Sequence, residues 1–150
     1  MIYIASDHGG FSQKNMIASW LTKHGLQVTD LGPTVLDPAD DYPQFAKLVA
    51  DALQNSSPED KGILFCRSGV GMTIAANKFP RIRAVNALTD AIARSSREHT
   101  DANVLVLPAD VLSEMETKRI VDIFLQTPFS KEERHVRRIG QVASFEAKNT

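Results

Sequence analysis

The sequence predicts an α/β fold: a three-layer αβα sandwich on a five-stranded parallel sheet, with a basic helix at the C-terminus. Three observations predict it. Short apolar runs that read as strands alternate with helix-period segments from end to end. A glycine loop, Cys66 to Gly71, joins one of those strands directly to a helix. No repeat, low-complexity tract or linker interrupts the alternation, so residues 1–150 are expected to form one domain, long enough for a substantial core.

Ile2 to Ala5 is the first strand, followed by Ser6-Asp7-His8-Gly9-Gly10. Ile17, Trp20, Leu21 and His24 then fall at helical spacing, and Gly25 is placed to stop that helix. Leu26 to Leu31 reads as the second strand, and residues 32–41 form a loop rich in Pro, Asp and Gly. Tyr42-Pro43 opens a helix with an apolar stripe of Phe45, Leu48, Val49, Ala52 and Leu53. A polar connection leads to the third strand, Gly62 to Phe65, then to the Cys66–Gly71 loop and a helix over Met72 to Lys78, ended by Phe79-Pro80. Arg83 to Leu88 is the fourth strand, and Thr89 caps a helix from Asp90 to about Glu98. Asn103 to Leu107 is the fifth strand. Ser113 and Glu116 form a capping box before Ile120, Val121, Ile123 and Phe124. Thr127-Pro128 breaks that helix, and a last basic helix runs from Lys131 to about Ala147.

The result is a Rossmann-like arrangement, whose ligands bind beyond the strand carboxyl ends where strand order reverses. Polar chemistry gathers at Asp7-His8, at Cys66-Arg67-Ser68, and at His99, which ends the helix before the fifth strand.

Composition narrows the function. A formal net charge of −1 supplies no field for nucleic acid or an anionic membrane, and no apolar run approaches the roughly 20 residues of a membrane span. The N-terminus lacks a basic n-region, so no signal peptide is expected. A single cysteine excludes an internal disulfide framework and a cysteine-rich zinc site, and a reducing, cytoplasmic compartment fits best.

The central loop is an anion cradle with a thiol at its rim. Gly69 and Gly71 let the backbone approach a ligand, and the helix behind them turns its free N–H groups toward the loop. It is not a dinucleotide fingerprint, because Ile74 stands where the third glycine belongs. It is not a P-loop, since no Gly-Lys-Ser/Thr follows, nor a Cys-x5-Arg phosphatase loop, since Met72 holds the arginine position. A thiol at a helix N-terminus can have a lowered pKa and act as base or nucleophile, whereas the plain alternative is that Cys66 is a small buried apolar residue.

Other residues carry a similar choice. Asp7-His8 could move protons on a sugar hydroxyl, or Asp7 could simply cap a helix. Tyr42 offers a flat face to a sugar ring, or packs at a helix start. His99 sits at a helix end that favours its charge anyway. Arg134, His135, Arg137 and Arg138 form a basic cluster. Arg134 and Arg138 share a helix face and suit a phosphate, unless they pair with Glu132 and Glu133.

SDHGG, DYP, C-x-S-G-V-G followed by IAANK, R-x-R-A, S-R-E-H-T-D-A-N-V-L and R-H-x-x-R occur in this order. Together they resemble the type B ribose-5-phosphate isomerases, within the ribose/galactose isomerase family, over nearly the whole chain. The resemblance implies aldose–ketose isomerisation of a sugar phosphate through an enediol in pentose phosphate metabolism, with no metal and no cofactor. By position, Cys66 would move a proton between C1 and C2 with help from Ser68. Backbone N–H groups of Gly69, Val70 and Gly71 would hold the enediolate oxygen. Asp7 and His99 would open the furanose ring, Tyr42 would lie against the sugar, and His8, Arg134 and Arg138 would face the phosphate. The resemblance further implies a homodimer, or a dimer of dimers, with the site at the interface.

Three positions depart from the family pattern. Arg67 stands where Gly is common, Thr100 where Asn commonly contacts substrate, and Asp110 where an Arg helps bind phosphate. Either Arg67 compensates for the lost arginine or the substrate is not ribose 5-phosphate. Allose 6-phosphate, galactose 6-phosphate and a four-carbon phosphate are the alternatives, although galactose-6-phosphate isomerase subunits lack the histidine that His99 supplies. A non-catalytic sugar-phosphate-binding domain is the reading from another class. Against it stands the joint presence of Cys66, Ser68, Asp7 and His99, since binding alone needs no base. A redox-sensing thiol protein is opposed by the lack of a resolving cysteine.

Overall fold

Alternating strand and helix segments resolve into five parallel strands and six α-helices in the computed structural model, which describes residues 1–146. The strands are β1 (Ile2–Ser6), β2 (Val28–Asp30), β3 (Lys61–Cys66), β4 (Ala84–Asn86) and β5 (Val104–Pro108), in the order β2-β1-β3-β5-β4. The helices are α1 (Phe11–Lys23), α2 (Tyr42–Gln54), α3 (Val70–Ala76), α4 (Asp90–Thr100), α5 (Glu114–Gln126) and α6 (Glu133–Glu146). This is the expected αβα sandwich. The expected end of the last helix, Ala147, lies outside the described residues.

Strand periodicity divides the core into two layers. Ile4, Ile63, Phe65, Leu105 and Leu107 face Ile17 and Leu21 of α1, Ala93 of α4, and Ile120 and Phe124 of α5. Ala5, Leu64, Cys66, Val104 and Val106 face Phe45 and Val49 of α2, and Met72 and Ala76 of α3. The inner strands are buried on both sides, which explains why they read as unbroken apolar runs.

Several boundaries moved for identifiable reasons. α3 begins at Val70, not Met72, because Gly69 takes a left-handed φ of +78° and turns the chain straight into the helix. It stops before Lys78, where the Asn77 side chain bonds both Ala84 N–H (2.8 Å) and Ala84 carbonyl (2.9 Å), docking the helix end onto β4. α4 runs past Glu98 to Thr100, ending at Asp101 with φ +46°. β2 shrinks to three residues because it pairs only with β1 at the sheet edge. In α2 the buried face is Phe45, Ala46, Val49 and Ala50, so Leu48, expected in the stripe, is 44% exposed. Gly25 (φ +80°) and the Ser113–Glu116 capping box are as expected.

The chain leaves β1 toward β2 on one side and toward β3 on the other. Strand order therefore reverses between the carboxyl ends of β1 and β3, where Ser6 is registered with Phe65. Among the described residues no helix is long and apolar enough to cross a membrane.

Candidate active site

The first turn at this switch point is built by Asp7 and two glycines. Asp7 Oδ1 accepts the Gly10 N–H at 3.1 Å, capping a short 3₁₀ turn over His8–Gly10. A side chain at Gly10 would come within 2.9 Å of the Phe65 carbonyl oxygen, so glycine lets this turn lie directly on β3. Asp7 is buried, and desolvation pushes its carboxyl above the ordinary value despite the Gly10 N–H and the neighbouring His8. The capping reading of Asp7 is thus realised, and it places the carboxyl beside Cys66, whose thiol feels its charge.

His8 is held by a residue that the sequence reading did not single out. Asp40 Oδ1 accepts both the His8 backbone N–H (2.9 Å) and His8 Nδ1 (2.7 Å). The hydrogen bond to Asp40 is the main cause that raises the His8 pKa.

In the glycine loop, Cys66 ends β3 and is only 5% exposed. Gly69 N–H points at its Sγ at 3.1 Å, and the backbone of Met72 and Ser68 also favours the thiolate. Burial outweighs them, and the thiol lies above its ordinary pKa. The lowering that a helix N-terminus can give is outweighed here, as the buried-cysteine alternative implies, because desolvation exceeds what the amides return and Asp7 adds negative charge. Val70 N–H meanwhile meets Ser68 Oγ at 3.3 Å. Two of the three amides expected to hold an enediolate oxygen are therefore engaged with Cys66 and Ser68. Gly71 follows in the first turn, where its N–H has no intrahelical acceptor.

Neighbours pin this loop. Asn86, at the carboxyl end of β4, donates from Nδ2 to the Ser68 carbonyl at 3.0 Å, and its buried Oδ1 has no partner. A Cβ on Gly69 would lie 2.3 Å from that Oδ1. Tyr42 packs over Gly71, where a Cβ would meet its ring at 2.7 Å, so Tyr42 does stand at the cradle. Arg67 covers the preceding turn, with its Cγ 2.5 Å from where a Gly9 Cβ would be, and its Nη1 reaches Asp110 Oδ2 at 3.4 Å. Asp7, His8, Tyr42, Arg67, Ser68, Gly69, Val70, Gly71 and Cys66 are thereby gathered at one end of the sheet.

The remaining residues lie elsewhere. His99 and Thr100 are in the last turn of α4, which runs against the strands and ends near their amino ends. Arg83, just before β4, donates from Nε to the Thr100 carbonyl at 2.9 Å. Gly62, at the amino end of β3, pairs with Val104, and Cys66 is four residues further along, roughly 13 Å at strand rise. His99 therefore does not join Cys66 within the chain. It stacks on the buried His135 of α6, ring centroids 4.6 Å apart, and Ser130 Oγ holds His135 Nδ1 at 2.7 Å. Arg134 pairs with Glu132 at 2.8 Å, the solvated alternative for that residue. His99, Thr100 and Arg138 line a hollow of about 930 Å³ between α6 and the sheet's amino end, together with Phe79, Arg83 and Phe145.

Asp40 and Asn86 escaped the sequence reading. Asp40 lies in a loop with four other carboxylate or proline residues within four positions, and nothing local separates it from them. Asn86 did carry a signal, as a polar residue at the end of an apolar strand. Among the described residues no three His, Cys, Asp or Glu side chains converge to hold a metal ion.

Fold and site together define an open-sheet α/β protein whose chemistry-bearing loops meet at the topological switch point. Residues 2–142 match the ribose/galactose isomerase family. The chain is 45% identical over 145 residues to a probable ribose-5-phosphate isomerase B of Mycoplasma pneumoniae, covering 97% of this chain and 94% of the relative. A crystal structure of ribose-5-phosphate isomerase B from Mycoplasma genitalium with bound ribulose-5-phosphate superimposes with a TM-score of 0.93 at 42% identity, covering 97% of this chain and 95% of the other. The enzyme of the same name from Clostridium thermocellum gives 0.93 at 41% identity and 99% coverage of both chains. The chain belongs to the ribose/galactose isomerase family.

Proposed function

We propose that this chain interconverts ribose 5-phosphate and ribulose 5-phosphate as a single isomerase domain working through an enediol. The observation that carries the reading is the Cys66 thiol at the switch point, buried and addressed by the Gly69 N–H at 3.1 Å. Burial disfavours the thiolate and the Gly69 N–H favours it; in that form Cys66 can take the C2 proton of the open-chain aldose. The electron pair left on C2 forms the C1–C2 double bond, and the carbonyl π pair moves to O1 as an enediolate. Gly69, Val70 and Gly71 N–H groups are the donors for that oxygen, once substrate displaces the Cys66 and Ser68 contacts. The thiol returns its proton to C1, and Ser68 Oγ relays the hydroxyl proton between O2 and O1.

Ring opening needs an acid and a base on the furanose, roles for Asp7 and His99. Their separation across the sheet supports a site shared by two copies of the chain. In that reading His99, Thr100, Arg134 and Arg138 of one copy complete the Cys66 end of the other, with Tyr42 on the sugar and His8 on the phosphate. A homodimer is the smallest assembly that does this. The lone free thiol suits a reducing cytoplasm.

Proton NMR of ribose 5-phosphate with the protein in D2O tests the reading. Ribulose 5-phosphate should appear with deuterium at the exchanging carbon, and Cys66→Ala should abolish both. A silent wild type with an intact fold overturns it, and a panel of six-carbon and four-carbon sugar phosphates would then identify the substrate.

A further inference from the structure

Asp40 makes an arrangement that loop geometry alone does not require. Its side chain is 5% exposed, although it sits in the loop before α2. One oxygen, Oδ1, takes two donors from the same residue, the backbone N–H and Nδ1 of His8. The other, Oδ2, is buried with no partner at all. A buried carboxylate with half its acceptor capacity unused is costly unless a counter-charge lies beside it. His8 is the group placed to supply that charge.

The contact also decides which end of the ring is left for a ligand. A carboxylate only accepts, so Nδ1 at 2.7 Å must carry a proton. With Nδ1 committed, Nε2 is the one ring nitrogen free to meet anything outside, and the side chain is 27% exposed. When Nε2 is also protonated, the ring offers a charge-assisted N–H donor, the kind that suits a phosphate oxygen.

We propose that Asp40 is a positioning residue that locks the His8 imidazole by Nδ1 and leaves its Nε2–H as a cationic donor for the substrate's phosphate. The inference rests on the reading that His8 faces the phosphate. The charges around His8 come from three elements. Asp40 and Asp7 favour the imidazolium, while Arg67 opposes it, with the Asp40 hydrogen bond the largest influence. The pair thus keeps its charge to higher pH than a free histidine, which titrates near 6.5.

Asp40→Asn keeps the shape and removes the charge. Expected is a downward move of the His8 ring titration, followed by NMR and assigned among the four histidines by the signal lost in His8→Asn. The KM for ribose 5-phosphate should rise about tenfold above the histidine's ordinary pKa, the loss of one charge-assisted hydrogen bond, and the gap should narrow in acid. Inhibition by inorganic phosphate should weaken over the same pH range. A merely structural Asp40 would shift KM equally at every pH, and that result overturns the proposal, as does an unmoved His8 titration. A moved titration with unchanged phosphate affinity overturns it too, by removing His8 from the phosphate while wild-type turnover stands. Absence of wild-type turnover would instead sink the isomerase reading. Should Asp40→Asn not fold, inorganic phosphate added to the wild type must raise the His8 titration midpoint; no change overturns the proposal.

Discussion

Arg67 Nη1 lies 3.4 Å from Asp110 Oδ2, across the gap between the glycine loop and the loop after β5. The Asp110 N–H donates to the Arg67 carbonyl at 3.1 Å, so side chains and backbone tie the same two loops together. Both side chains are more than half exposed, and a pair of that length and exposure contributes little to stability. Its consequence is positional: the carboxylate that would repel a phosphate is occupied by the cation that would attract one. Arg67→Gly is expected to raise the KM for a phosphorylated sugar, and Asp110→Asn to leave it unchanged or lower it. Both should change thermal stability by less than about 1 kcal/mol. An unchanged KM in Arg67→Gly would remove Arg67 from substrate binding.

Gly69 is constrained from two directions. Its φ of +78° disfavours any side chain, and an added Cβ would lie 2.3 Å from Asn86 Oδ1. Gly69→Ala should destabilise the protein by about 1–2 kcal/mol from backbone strain alone, and by more from the clash. Gly71→Ala is the informative contrast. Its conflict is with the Tyr42 ring at 2.7 Å, a side chain free to swing away. Turnover should therefore fall in Gly71→Ala with a smaller loss of melting temperature than in Gly69→Ala.

Much of the fold was legible because both faces of the inner strands are covered. Ile63, Leu64, Phe65 and Leu105 to Leu107 have no solvent face to show, so their apolar runs stand out between polar turns. Edge strand β2 is shorter than its apolar pattern because Leu26 N–H turns back to the Leu21 carbonyl at 3.2 Å, and the ladder with β1 covers only Val28 to Asp30, with Leu31 adding one N–H to the Ile4 carbonyl at 2.8 Å. The loop residues of the site were legible for a similar local reason: Cys66, Gly69 and Gly71 announce a turn. Asp40 was hidden because its contact to His8 spans 32 positions. Which of the two readings of the Cys66 thiol holds was not legible, because its burial under α2 and α3 is a tertiary property, whereas the helix start is a local one.

Ser113 separates stability from function. Its Oγ accepts the Glu116 N–H at 3.3 Å, and Glu116 Oε2 returns to the Ser113 N–H at 2.9 Å. Ser113→Ala should lower unfolding free energy by about 1 kcal/mol, readable by urea denaturation, with kcat/KM intact. A fall in turnover equal to that of a loop variant would mean that α5 couples to the site.

Asp7 is where stability and catalysis should oppose each other. Burial raises its carboxyl above the ordinary 3.8, so folding disfavours its charged form. The folded state therefore loses stability as pH rises from that value through the raised one, and the penalty is complete above it. Asn at this position keeps an oxygen for the Gly10 N–H and carries no charge. Asp7→Asn should accordingly be more stable than wild type at neutral pH, and the difference should vanish in acid, where Asp7 is protonated in both states. The same change removes a negative charge that raises the Cys66 pKa. The thiolate's ultraviolet absorbance, readable because Cys66 is the only cysteine, should then appear at lower pH in Asp7→Asn. Turnover should nevertheless fall, because Asp7 is proposed to help open the sugar ring. A thiol titration that does not move would show that the carboxyl and the sulfur are electrostatically independent, and the shared site at the switch point would lose its main electrostatic link.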